Sequence, residues 1–112
     1  MRYMMLICAD EQDVDSPTGD ASGVSPEYVA FMQEFGGVLQ GGERLRPSTT
    51  ATTVRVRDGE VLTSDGPFAE TKEQVGGYFV VDAKDLDHAI EVASRIPTAA
   101  HGAIEVRPIW EM

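Results

Sequence analysis

Two stretches of the chain are apolar without interruption, Tyr3–Ala9 and Tyr78–Val81. Runs of that length, bounded by turn residues, suit strands buried on both faces. Between and after them the apolar positions are spaced. Ser25-Pro26-Glu27 reads as a helix start, with Ser25 as cap, Pro26 at the first helical position and Glu27 at the positive end of the dipole. Tyr28, Phe31, Met32 and Phe35 then recur at i, i+3, i+4 and i+7 and give that helix one apolar face. Gly36-Gly37 is expected to end it with a left-handed residue. Val38–Leu45 is interrupted by glycines and reads as a weak edge strand.

Strict alternation marks Thr52–Ser64 as a hairpin. Val54 and Val56 alternate with Arg55 and Arg57, and Asp58-Gly59 is a favoured two-residue turn. Asp85 is placed to cap a second helix with a stripe of Leu86, Ala89, Ile90, Ala93 and Ile96, stopped by Pro97. Ala103–Trp110 is the last strand, with Ile104, Val106 and Trp110 on one face and Glu105 and Arg107 on the other. Asp10–Gly23 is acidic and turn-rich, and reads as a loop.

Removing the hairpin leaves βαββαβ. The predicted class is α+β, a ferredoxin-like fold with an inserted β-hairpin, as one domain over residues 1–112. In that topology the first and third strands are central, and those are the two unbroken apolar runs. The fourth carries Pro108, which has no N–H to give a ladder. Two helices cover one face of a four-stranded sheet, yet the central strands are apolar on both. The other face needs a partner, so a homodimer of the dimeric α+β-barrel type is expected.

Charge narrows the function classes. Nineteen acids against nine bases give a formal charge of −10, which disfavours nucleic acid and anionic membrane surfaces as partners. The one cysteine, Cys8, excludes an internal disulfide and reads as a buried inert thiol. The apolar part of the N-terminal stretch is too short to span a bilayer, and acids follow it at once, unlike a signal peptide. A cytoplasmic protein is expected. Two distant histidines and one cysteine lack ligand spacing, so neither a metal site nor a cofactor is expected.

Several segments carry a resemblance. They are Met1-Arg2-Tyr3-Met4, Gly42-Glu43-x-Leu45, Thr52-Thr53-Val54-Arg55, the block from Asp65-Gly66-Pro67-Phe68 through Ala69-Glu70-Thr71-Lys72-Glu73-Gln74 to Gly76-Gly77-Tyr78, and His101-Gly102-x-Ile104-Glu105-Val106-Arg107-Pro108. Together they resemble the YCII-related proteins, specifically the branch bearing a DGPF sequence. The resemblance implies a ferredoxin-like subunit, a dimeric α+β barrel, and relatives that include small-molecule enzymes with a His–Asp pair near the first strand and helix. This chain departs there, because Ala9–Leu45 contains no histidine. Relatives are also associated with extracytoplasmic-function sigma factors.

Two functions from different classes follow. The first is a small-molecule enzyme, a lyase or isomerase using proton transfer, with a pocket near the Asp65–Phe68 corner. His101 is its acid or base and Asp65 the partner that orients it. Glu43, Lys72, Glu105, Arg107 and Phe68 are candidate binding groups for a small polar or anionic molecule. Glu70, Lys72 and Glu73 form either a tuned cluster or a solvated trio, and Glu105 with Arg107 either a structural couple or a pocket floor. Arg44, Arg46, Arg55 and Arg57 make a local positive island. The second function is a non-catalytic dimeric module that binds a ligand or serves a sigma-factor system.

Overall fold

The computed structural model describes residues 1–11 and 25–111. Of the expected acidic loop, all but Asp10 and Glu11 lies outside the described residues. The elements follow in the order β1 (Arg2–Asp10), α1 (Pro26–Glu34), β2 (Leu39–Arg44), β3 (Thr52–Arg57), β4 (Glu60–Asp65), β5 (Glu73–Asp82), α2 (Leu86–Ser94) and β6 (Ala103–Pro108). Four strands form an antiparallel sheet in the order β2-β5-β1-β6, and β3 pairs with β4 alone. With the hairpin set aside this is the ferredoxin-like order, and the two apolar runs are the central strands.

Alternation decides which side chains meet the helices. Tyr3, Met5 and Ala9 of β1 are buried, as is Val81 of β5. They join Phe31 of α1 and Ala89, Val92, Ala93 and Ile96 in and beyond α2 in one core. Phe79 packs on it, with its ring centroid 5.3 Å from that of Phe31 and 6.5 Å from that of Tyr28. Ile104 and Val106 reach the same core from β6. On the opposite face Met4, Leu6 and Cys8 alternate with the core residues, and Tyr78 and Val80 do the same on β5. These five stay partly exposed, and among the described residues no helix lies over them.

Four expectations change. The second-helix stripe is Ala89, Val92, Ala93 and Ile96, whereas Leu86 and Ile90 are each 51% exposed. Helical spacing fits either set, and the face of α2 turned to the core is the one carrying Val92. The third strand runs ten residues from Glu73, through Gly76-Gly77 rather than after them. The chain absorbs them with a bulge, because the register skips between Ile7↔Gly77 and Cys8↔Val75. Gly36 and Gly37 are not left-handed: α1 ends at Phe35 (φ −105°, ψ 14°), whose N–H donates to the Phe31 carbonyl. The last strand stops at Pro108, and Trp110 lies beyond it, 88% exposed.

Other local readings hold. Ser25 Oγ accepts from the Tyr28 N–H at 3.4 Å. Asp85 Oδ1 accepts from the His88 N–H at 2.8 Å. His88 itself turns back to the helix start, where its Nδ1 accepts the Lys84 N–H at 3.0 Å. Asp58 (φ 53°) and Gly59 (φ 79°) make the hairpin turn left-handed at both central positions, the type that matches strand twist.

Candidate functional site

One end of the sheet gathers polar groups from three separate segments. β1 finishes at Asp10, which stands opposite Glu73 at the start of β5. The turn before β5 carries Thr71 and Lys72. On the other side of β1 the chain leaves α2 through a tight 3-10 turn, Pro97–Ala100, and reaches His101 just before β6. Asp10, Thr71, Lys72, Glu73 and His101 together line an open cavity of about 440 Å3, within the roughly 300–1,000 Å3 common for small-molecule sites.

Local hydrogen bonding holds both walls. Gln74 Nε2 donates to the carbonyls of Ala69 and Thr71, each at 3.0 Å, and Thr71 Oγ1 donates to the Glu73 carbonyl at 2.6 Å. The turn carrying Lys72 is thereby closed on itself. Opposite, the Thr98 carbonyl accepts from both the His101 N–H (3.2 Å) and the Gly102 N–H (2.7 Å). Thr98 is buried, and its hydroxyl shares a hydrogen bond with the Tyr28 hydroxyl of α1. Burial pushes the Tyr28 phenol above its ordinary value, although the bond to Thr98 and the charge of Arg44 act the other way. Gly102 lies so close to β1 that a Cβ there would overlap the Cys8 carbonyl oxygen. His101 therefore sits on a backbone fixed by α1, α2 and β1 at once.

The other candidates lie elsewhere. Asp65 and Phe68 stand at the base of the hairpin and do not line this cavity. The corner itself is built as expected. Gly66, ahead of Pro67, takes a conformation that glycine alone adopts readily (φ 100°), the Gly66 N–H donates to the Ala51 carbonyl at 2.7 Å, and Thr53 Oγ1 donates to the Gly66 carbonyl at 2.9 Å. Phe68 is 81% exposed, with the Arg55 guanidinium 5.5 Å from its ring centre. Glu43, Glu105 and Arg107 belong to the helix-free face of the sheet. Glu43 pairs with Tyr78, Tyr78 with Leu6, and Leu6 with Glu105, so one row crosses all four strands with a carboxylate at each edge. Arg107 Nε meets Glu105 Oε2 at 2.7 Å, an exposed ion pair along one strand.

Cys8, partly exposed rather than fully buried, is on that same face. Burial first, then the carboxylates of Glu105 and Glu73, push its thiol up, away from the reactive thiolate. Among the described residues no three His, Cys, Asp or Glu side chains converge as metal ligands, and no helix is long and apolar enough to cross a membrane.

Sequence reasoning found His101, Lys72 and Glu73 but not their meeting with Asp10 and Thr71. Asp10 read as the first residue of a loop. Its place opposite Glu73 depends on the bulge at Ile7/Cys8, for which Gly76-Gly77 was the one available signal.

The model of the YCII-related domain matches residues 1–112. The chain belongs to the YCII-related family. The chain is also 41% identical over 92 residues to an uncharacterised protein of Rhizobium meliloti (strain 1021), covering 80% of this chain and 70% of that protein. This YCII-related chain lacks a histidine anywhere in Ala9–Leu45, so the one histidine at the cavity comes from the opposite end of the sequence.

Proposed function

We propose that this protein is a small-molecule enzyme of the DGPF branch, a lyase or isomerase that works by proton transfer in the cavity at the end of β1 and β5. The observation that carries the reading is the convergence of His101 and Lys72 from separate segments onto one polar cavity beside the carboxylates of Asp10 and Glu73. Imidazole changes charge near neutral pH and is suited to moving a proton in either direction. Lys72 supplies a point charge for an anionic group of the substrate, and Thr71 a neutral hydrogen-bonding group. Asp10 and Glu73 replace Asp65 in this reading as the carboxylates that orient the imidazole or accept a substrate proton. Asp65 and Phe68 keep the task of fixing the corner that delivers the Thr71–Glu73 wall. The protein is read as a cytoplasmic homodimer, joined through the helix-free sheet face, where Met4, Leu6, Tyr78 and Val80 lie between charged edges.

Proton transfer leaves a signature that can be read without first identifying the substrate. The protein is incubated in D2O with a mixture of small metabolites, and mass spectrometry reads deuterium entering carbon positions. The expected result is incorporation into one compound class by the wild type, reduced about 100-fold or more in His101→Ala, the lower range for general acid–base catalysis. Incorporation equal in both proteins removes His101 from the chemistry. The exposed position of His101, Lys72 and Glu73 favours the second reading, a non-catalytic ligand-binding or regulatory module. Binding of a copurifying small molecule without any exchange or turnover would select it.

A further inference from the structure

The β3–β4 hairpin is the one part of the described fold without a core of its own. It forms a separate two-stranded sheet, and its extensive packing is internal. A two-stranded hairpin is marginal in water unless one face is covered. Its pairing puts Val54 beside Thr63 and Val56 beside Val61, on one face. Those valines are 60%, 57% and 69% exposed. The reverse face holds Arg55 against Phe68 and the charged pair position Arg57↔Glu60. The hairpin is therefore amphipathic in the sense a sheet packed on something requires, and the valine side lies bare.

We infer that the valine face of the hairpin docks on a second copy of this chain, as an arm that completes the dimer. The inference rests on the dimer reading above and is separable from it. Two arguments select a second copy as the occupant. The first is area. The helix-free sheet face spans four strands of nine, six, ten and six residues, or roughly 500 Å2 in projection at about 3.3 Å per residue and 4.8 Å between strands. Side-chain relief raises that to about 750 Å2, a little short of the roughly 800 Å2 each partner buries in a standard interface. The hairpin adds about 200 Å2 in projection from two six-residue strands, which closes the gap. The second is charge. Copies carrying −10 each repel, so contact is least costly where acids are absent. The hairpin's Val54, Val56, Val61 and Thr63 face carries no charge short of Asp65 at its base.

The test is sedimentation of the wild type and of a variant carrying Val54→Thr, Val56→Thr and Val61→Thr. Threonine keeps the strand preference, so pairing within the hairpin survives. The expected result is a wild-type dimer and a dissociation constant raised about 100-fold or more in the triple variant, for six valines lost across a two-fold interface. Hydrogen exchange on the wild type gives a second reading, independent of whether the variant folds. The hairpin amides should slow as protein concentration is raised through the dissociation constant. A triple variant that dimerises as tightly as the wild type, or hairpin exchange independent of concentration, overturns the arm and leaves the sheet-to-sheet dimer standing. A wild type that sediments as a monomer overturns both. Hairpin protection that appears only when a different protein is added overturns the choice of a second copy.

Discussion

Replacing Gly102 with alanine tests the link between the fold and the candidate site most directly. Gly102 follows His101 and precedes β6, where the chain passes against β1. A Cβ built there overlaps the Cys8 carbonyl oxygen and lies 3.1 Å from Ala9 Cβ and 3.2 Å from Thr98 Cγ2. Carbon and oxygen settle at about 3.3–3.6 Å even in attractive contacts. The obstacle is backbone of a central strand, held on both sides by β5 and β6, so it cannot step aside as a flexible side chain would. β6 must move instead. Overpacking of that kind costs about 1–3 kcal/mol. The move also strains the 2.7 Å bond from Gly102 N–H to the Thr98 carbonyl, and losing such a bond costs about 0.5–1.5 kcal/mol more. The expected loss is about 3 kcal/mol by urea unfolding, or roughly a 12 °C fall in midpoint for a domain of this size. The internal control is Gly37→Ala. Nothing lies within 4 Å of its Cβ and its φ is not positive, so alanine should be neutral or stabilise by about 0.4–1 kcal/mol through the unfolded chain. The histidine side-chain NMR signals should shift for His101 in Gly102→Ala and stay put in Gly37→Ala. A Gly102→Ala variant within about 0.5 kcal/mol of wild type, the range of inconsequential surface changes, would refute the close approach of β1 and the turn carrying His101.

Three further outcomes are expected. Tyr28→Phe removes the partner of the buried Thr98 hydroxyl and should cost about 1–3 kcal/mol at neutral pH, measured by denaturant titration. The folded Tyr28 phenol is raised above its ordinary value of 10.0, chiefly by burial. Its stabilising share is thus complete below about pH 10 and lost as pH rises through the folded value, so Tyr28→Phe should show a shallower alkaline decline than wild type; equal slopes would contradict the burial of the phenol. Gly66→Ala forces a side chain into φ 100° and should cost about 1–3 kcal/mol, whereas an unchanged midpoint would mean that the Asp65–Phe68 corner relaxes freely. Cys8, with its thiol pushed up by burial and then by Glu105 and Glu73, should react with iodoacetamide at pH 8 more slowly than an unfolded-chain thiol, and equal rates would place it in open solvent.

Where reading the residues succeeded, the physics was local. Ser25 and Asp85 cap helices through bonds spanning three residues, Pro26 starts one with its fixed φ, and Asp58-Gly59 turns a hairpin because both positions need positive φ. These choices are made within a few residues, and the chain shows them openly. The topology was legible for a related reason: a strand central in the sheet carries an unbroken apolar run, and two segments, Tyr3–Ala9 and Tyr78–Val81, met that test. Which of several apolar residues in α2 faces the sheet was not legible, since Leu86 and Val92 both satisfy helical spacing and the choice falls to how the helix packs on the core.

The candidate site shows the same division. Histidine, lysine and carboxylates near strand ends were visible as chemistry, so His101, Lys72 and Glu73 were named from the sequence. Their assembly with Asp10 and Thr71 came from register, which one bulged glycine shifts by a residue, and from the 3-10 turn that swings His101 back beside β1. The Asp65–Phe68 corner shows the converse. Pro67 and Gly66 dictate its shape from the sequence alone, but the fold sets it at the foot of the hairpin, away from His101. The sequence by itself determined the elements, the N-terminal caps of both helices, the hairpin turn and the order of strands, because each follows from bonds and burial within a short stretch. Only the tertiary structure decided which polar groups share a cavity, because that depends on how distant strands are registered and how closely Gly102 lets β6 approach β1.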